Sequence, residues 1–205
     1  MLPFYAERLP TVEINNTFYQ MPRTSVLENW AACTPADFRF AIKASRRITH
    51  MARLKPDSAA DSLQYLYRNL ASLGAKRCPV LFQTPPQMKK DLPRLADFLH
   101  LLPDGHAAAF EFRNDSWFGD DVYEALRGAG AALCLSERED NAPPPMVATA
   151  PWGYVRLRLE RYTDEDLRQW AERLTGMGWT ETYVYFMHEP TAPAYALRLM
   201  ERAQP

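Results

Sequence analysis

The chain has 205 residues, with 24 Lys and Arg against 25 Asp and Glu, and a formal net charge of -1. Hydrophobic residues make up 47% and charged residues 24%, which excludes a disordered or fibrous chain, while the near-zero balance excludes a generally basic nucleic-acid coat. No apolar run is long enough to span a membrane, and the opening Leu2-Pro3-Phe4-Tyr5-Ala6-Glu7-Arg8 lacks the basic-then-apolar order of a secretory signal.

In chain order, strand-like runs alternate with amphipathic helices. The strands are expected at Thr11 to Tyr19, Phe38 to Ser45, Pro79 to Thr84, Ala107 to Arg113, Ala131 to Ser136, Gly153 to Leu159 and Thr182 to His188. Between them, Thr24 or Ser25 caps a helix through Trp30, and Asp57 or Ser58 opens a longer one that stops at Gly74. Asp91-Leu92-Pro93 starts a helix carrying Leu95, Phe98, Leu99 and Leu102, and Asp120-Asp121 leads one ending near Gly128. Thr163 and Asp166 stand at capping-box spacing ahead of Leu167, Trp170 and Leu174, and Ala194 to Arg202 closes the chain. The link from Ser136 to Gly153 shows no helix, and Pro143-Pro144-Pro145 within it reads as a stiff loop.

Strand and helix in alternation imply parallel strands joined by crossovers. A dinucleotide-binding sheet would want a Gly-rich turn after its first strand, and none is present. The expectation is therefore an α/β, TIM-barrel-like (β/α) barrel forming one domain over 1–205. Only seven strands are read, and the one lacking is the first, because Leu2 to Arg8 reads as the helix that would follow it. Either a gap opens between the Thr11 and Thr182 strands, or the coding start lies upstream.

Parallel strands covered by helices should be almost continuously apolar, and these are not. Val12 and Ile14 alternate with Glu13 and Asn15; Phe40 and Ile42 with Lys43; Phe82 with Gln83; Phe110 and Phe112 with Glu111 and Arg113; Val155 and Leu157 with Arg156 and Arg158. Side chains alternate across a strand, so the apolar set can face the helices and the polar set the barrel axis. The competing explanation is a half-exposed antiparallel sheet, against which the intervening helices argue. Inside a barrel, Glu13 and Glu111 would meet Lys43, Arg113, Arg156 and Arg158, an excess of two positive charges. Buried charges are tolerated when paired, so this excess calls for an anion, unless the whole set is a structural ion-pair network.

Such barrels carry their sites at the C-terminal ends of the strands. The chain offers there Asn15 and Tyr19, Lys43, Arg47 and His50, Gln83, Glu111, Arg113 and Trp117, Arg158, then His188 and Glu189. No metal motif is present, and a divalent ion on Glu13, Glu111, His50 or His188 has no ligand spacing behind it, so neither metal nor cofactor is expected. His100 and His106 are expected to face solvent. Cys33, Cys78 and Cys134 are odd in number and far apart, which argues against a disulfide framework and for a reduced, cytoplasmic setting.

Thr11 to Tyr19 and Phe38 to His50 closely resemble the YecE-like family, domain of unknown function seventy-two. Val80 to Pro86, Phe110 to Trp117, Tyr154 to Arg158 and Tyr183 to Phe186 agree with it. The resemblance implies a TIM-barrel-like fold and no particular activity. Its characteristic positions fall at Glu13, Asn15, Thr17, Tyr19, Lys43, Arg47, His50, Gln83, Glu111, Arg113 and Trp117. The chain departs from the family by lacking a Gly- and Trp-bearing first strand, and by Met187-His188-Glu189 where Asn residues are usual.

Three functions fit these residues. The first is an enzyme for a small phosphate- or carboxylate-bearing substrate, with Lys43, Arg47, Arg113 and Arg158 on the anion and Glu13 or Glu111 as general acid/base. In that reading Asn15, Tyr19, His50, Gln83, Trp117 and His188 complete the substrate contacts. The second is a nucleic-acid-binding or processing protein using Lys43, Arg46 and Arg47 with Tyr19 and Trp117 for stacking. The third is a non-catalytic protein whose polar barrel is structural.

Overall fold

The computed structural model describes residues 2–137, 146–188 and 190–203. Seven parallel strands run in the order β1 (Thr11–Ile14), β2 (Arg39–Lys43), β3 (Arg77–Gln83), β4 (Ala108–Glu111), β5 (Ala132–Ser136), β6 (Trp152–Leu157) and β7 (Glu181–Phe186), each hydrogen-bonded to its neighbours in sequence. The helices are α1 (Leu2–Ala6), α2 (Thr24–Ala32), α3 (Pro56–Leu70), α4 (Leu92–Leu99), α5 (Asp120–Gly128), α6 (Asp164–Gly176) and α7 (Ala192–Arg202). This is a nearly closed (β/α) barrel, the expected fold. No described helix is long and apolar enough to cross a membrane. The Pro143-Pro144-Pro145 loop and Glu189 lie outside the described residues.

Local chemistry sets the element ends. Asp91 caps α4 by accepting from the Arg94 amide at 3.1 Å. Thr163 and Asp166 make the expected capping box of α6, bonding each other's backbone amides at 3.1 and 2.8 Å. The α3 helix begins earlier than expected because Pro56, whose lack of an N–H costs nothing in a first turn, takes that position. The first strand is shorter than expected. It ends at Ile14 because the Thr17 hydroxyl bridges the carbonyls of Ile14 and Lys43 at 2.8 and 2.7 Å, folding the chain into a 3-10 turn over Asn16–Phe18.

The strands separate two cores. On the outer face, Phe38, Phe40, Ile42, Val80, Phe82, Phe110, Leu133 and Val155 pack with Leu63, Leu66, Phe98, Leu126 and Leu167 of the helices. Each such side chain, fully buried, contributes about 1.5–3 kcal/mol. On the inner face lies a strand-only cluster of Ala41, Cys78, Leu81, Ala109, Ala132, Cys134, Tyr154 and Tyr185. The three cysteines are free, with Cys78 and Cys134 buried in this inner cluster.

Along the axis the inner face changes character. One alternation step further toward the strand ends, Ala41 gives way to Lys43, Leu81 to Gln83, Ala109 to Glu111, Cys134 to Ser136 and Tyr154 to Arg156. The expected polar interior is therefore confined to its C-terminal half, above small and aromatic residues that fill the N-terminal half.

The gap expected between the Thr11 and Thr182 strands is present. Among the described residues β1 and β7 share no ladder. A cavity of about 640 Å³ lies between them, its lining including Tyr5, Val12, Trp179, Val184, Phe186 and Leu199. The hydroxyls of Thr11 and Tyr185, 2.9 Å apart, meet across it. Trp179 also packs over β6 so closely that a Cβ on Gly153 would fall 2.2 Å from the indole, which is why that strand carries a glycine.

Candidate functional site

The sequence brings six inward charges to the same half of the barrel, and the structure sorts them into two groups. The lower group centres on Arg156, whose side chain is 1% exposed. Its Nη1 donates to Glu111 Oε2 at 2.6 Å, and its Nη2 to Glu13 Oε1 at 2.8 Å and Asn15 Oδ1 at 3.1 Å. Glu13 also accepts from the Asn15 amide at 2.9 Å and the Tyr154 hydroxyl at 2.6 Å. The second oxygen of Glu111 accepts from Arg158 Nη2 at 3.2 Å, while Arg158 Nε donates to Ser136 at 2.9 Å. Gln83, paired with Glu111 in the β3–β4 register, stands beside that carboxylate and favours its ionised form.

Burial alone would raise the Glu111 carboxyl; the guanidiniums of Arg156 and Arg158 overturn that and hold it down to about 2. Arg156 is discouraged by burial, yet Glu13 and Glu111 keep its charge more firmly than usual. Glu111 is thus an anion at every physiological pH. There it orients the two guanidiniums of Arg156 and Arg158.

The upper group is Lys43, His50 and Arg113. Lys43 ends β2 half-buried, with its ammonium 4.7 Å over the Phe18 ring. Among the described residues neither Lys43 nor Arg113 has a carboxylate within ion-pair distance. Burial, then the charge of Arg156, lowers the Lys43 ammonium to about 8, with Glu111 and Glu13 pulling the other way. His50 is lowered first by burial and then by the charges of Lys43 and Arg113, so its imidazole is neutral near pH 7. Its ring packs edge-on to Phe18 at 4.8 Å, and Nδ1 lies 2.9 Å from the Thr49 hydroxyl. That hydroxyl also lies 3.4 Å from the Ser45 carbonyl, and the tautomer in which it donates there leaves Nε2 with its lone pair.

An irregular turn delivers His50. Directly after β2, residues Arg47–Met51 form a wide π-type turn closed by Ala52 N to Arg47 O at 2.9 Å. The chain leaves it through Arg53 and Leu54, both left-handed at φ +51° and +59°. Such geometry is costly for a β-carbon-bearing residue, and π-turns and strain concentrate at functional sites.

Other expected site residues are placed differently. Trp117 is 0% exposed, stacks on Phe112 at 4.6 Å and donates its indole N–H to Met88 O at 2.7 Å. It pins two loops together and offers no face to a ligand. Tyr19, at 70% exposure, stands on the outer rim beside Arg46, and Arg47 is exposed without a side-chain partner among the described residues. His188 lies exposed after β7, where its carbonyl accepts from Ala192 N at 2.9 Å. His106 corrects the expectation of a solvent-facing ring: it stacks on Tyr67 at 5.0 Å and meets Arg77 at 3.3 Å.

Two residues at the centre were left out of the expected site, Arg156 and Tyr154. Their signal was the i, i+2, i+4 series Tyr154, Arg156, Arg158 on one strand face. Among the described residues no group of three or more His, Cys, Asp or Glu side chains gathers as a metal would need, and the oxygens of Glu13 and Glu111 are already taken by other side chains.

A parallel (β/α) barrel with a charged C-terminal end is the class that this fold and site define. The chain matches the family described as "Protein of unknown function DUF72" over residues 1–205, and it belongs to that family. It is 32% identical to UPF0759 protein YunF of Bacillus subtilis over 223 residues, 99% of this chain and 76% of that protein. With UPF0759 protein YecE of Escherichia coli it shares 30% identity over 127 residues, 62% of this chain and 46% of that one. The crystal structure of a DUF72 family protein from Enterococcus faecalis superposes with a TM-score of 0.84 at 20% identity, covering 98% of this chain and 92% of that one. One from Thermotoga maritima gives 0.79 at 24% identity, with 94% and 84% covered. At such identities these two establish the fold.

Proposed function

We propose that the protein is an enzyme acting on a small phosphate- or carboxylate-bearing substrate at the C-terminal mouth of the barrel. One observation carries this reading: the two buried carboxylates are satisfied by Arg156 and Arg158, and Lys43 and Arg113 remain at the mouth as cations without a carboxylate among the described residues. An anionic ligand supplies the missing charge. Arg113 and Arg158 bind its oxygens, in the fork geometry that suits carboxylate and phosphate. In this reading the imidazole of His50, rather than Glu13 or Glu111, accepts and returns a proton, supported by its lowered proton affinity beside Lys43 and Arg113. Glu13 and Glu111 hold the guanidiniums in place so that no reorganisation is needed when charge develops.

The nucleic-acid alternative keeps Tyr19, Arg46 and Arg47 on the rim but loses Trp117 as a stacking surface. Thermal-shift titration with inorganic phosphate and small hydroxy and keto acids tests the proposal. At least one anion should raise the melting temperature, and Arg113→Ala and Arg158→Ala should each weaken that response at least about tenfold in concentration, the cost of roughly one charge-assisted contact. If no anion stabilises the wild type, the reading is abandoned in favour of a structural polar barrel.

A further inference from the structure

The five lysines of this chain sit in different chemistry. Lys55 and Lys89 are exposed; Lys76 is spent on the carbonyls of Ala31 and Thr34 at 2.5 and 2.7 Å; Lys90 pairs with Asp121 at 2.7 Å. Lys43 alone stands inside the barrel mouth. Its backbone is fixed by the ladder to Leu81 of β3 and by the Thr17 hydroxyl on its carbonyl, and its ammonium lies against an aromatic face. Both carboxylates that share its chamber are held by arginines. Among the described residues Lys43 has no carboxylate within ion-pair distance, and it shares its surroundings with the guanidiniums of Arg156 and Arg158 as well as with Glu13 and Glu111.

We infer, on the strength of the anion-binding reading above, that Lys43 is an amine nucleophile that forms an imine with a small aldehyde or ketone bearing a phosphate or carboxylate group. The Nζ lone pair attacks the carbonyl carbon, forming the N–C bond as the C=O electron pair moves to oxygen. One proton passes from nitrogen to His50 and from there to the alkoxide oxygen, giving the neutral carbinolamine, and a second proton, drawn from solvent through the same imidazole, protonates its hydroxyl. The C–O bond then breaks, water leaves, and a protonated C=N remains, an electron sink for reactions at the adjacent carbon. Arg113 and Arg158 hold the anionic end and so direct the carbonyl toward Nζ. The lowering of Lys43 to about 8 fits this use: at pH 7.5 about a quarter of the molecules carry the free amine, against about one in a thousand for an ordinary lysine.

Reductive trapping tests this on the intact wild-type chain. The protein is incubated with glyceraldehyde 3-phosphate, or separately with glyoxylate, and cyanoborohydride, whose hydride reduces the C=N to a stable secondary amine. Peptide mass mapping then gives a rate for each lysine. Lys43 should be modified at least about tenfold faster than Lys55 and Lys89, with a rate that rises to half its limit near pH 8. Excess inorganic phosphate should slow it selectively, and Lys43→Arg, which keeps the charge and the fold, should abolish the fast site. If Lys43 reacts no faster than Lys55 while phosphate still raises the melting temperature, the imine is refuted and the anion site survives. If phosphate neither binds nor protects and Lys43 is slow, both fall.

Discussion

The two groups of charge in this barrel lie one layer apart and obey opposite rules. Around Arg156 the charges are buried and paired: its two Nη atoms make three hydrogen bonds, to two carboxylates and an asparagine, a tyrosine donates to one of those carboxylates, and the Arg156 Nε alone is left without a partner among the described residues. Around Lys43 and Arg113 the charges are half-exposed and, among the described residues, have no carboxylate. Buried ions that are fully paired can be neutral or favourable to folding, whereas a desolvated ion without a partner is a cost. The lower layer is therefore framework. The upper layer is retained at the expense of stability, the pattern of a group kept for work.

Substitutions should separate the two. Arg156→Met leaves Glu13 buried without its counter-ion and Glu111 with Arg158 alone, and should lose about 3–5 kcal/mol in urea unfolding. Equal stability of this variant and the wild type would dissolve the distinction. Acid titration probes the same layer through Glu111. Its folded carboxyl sits near 2 and its ordinary value is 4.5, so it stabilises the protein fully above the latter and ceases to as pH falls through the former. A melting curve series from pH 6 to pH 2 should show that loss, and Glu111→Gln, already weakened, should lose this part of the slope.

Lys43→Met should act in the reverse sense. The folded ammonium titrates near 8 and the unfolded one at 10.5, so between those values the unfolded chain holds more protons and wild-type stability rises with pH. The penalty is full below pH 8 and vanishes above 10.5. Allowing for its partial exposure to solvent, Lys43→Met should gain roughly 1–2 kcal/mol at pH 7 and nothing at pH 11, read from denaturant midpoints. A destabilised Lys43→Met would place Lys43 in the framework. The smallest effect is expected at Arg53→Gly, which relieves a left-handed residue behind His50 and should add about 0.5–1 kcal/mol. If stability falls instead, the π-type turn is held by contacts of Arg53 and not against strain.

Much of this was legible before the fold was known. The alternation of Glu13 with Val12 and Ile14, of Lys43 with Phe40 and Ile42, and of Arg156 with Val155 and Leu157 announced both the barrel and its polar lining, because period-two patterning survives in any strand that has two different faces. What could not be read was depth. Ala109 and Glu111 share a face, and only three-dimensional closure shows that one lies in an apolar floor and the other in an ionic layer. Trp117 was misplaced for a related reason: an aromatic after a strand end looks the same whether it faces a ligand or, as here, locks onto Met88 and Phe112. The turn carrying His50 left no trace in composition, since Arg53 and Leu54 are not residues that advertise a left-handed backbone. That Lys43 has no carboxylate partner among the described residues was foreshadowed by the surplus of two inward cations, though which two had to be learned from Arg156.

The unladdered border between β1 and β7 gives the ionic layer a mechanical meaning. A closed barrel has its circumference fixed by backbone hydrogen bonds all the way round. Here the hoop is completed by side chains: Glu13 on β1 grips Arg156 and Tyr154 on β6, and Thr11 touches Tyr185 on β7. The cluster is thus a buckle as well as a lining. A substitution that removes one of its charges therefore acts on the join between β1 and β6 as well as on the electrostatics of the barrel's C-terminal half.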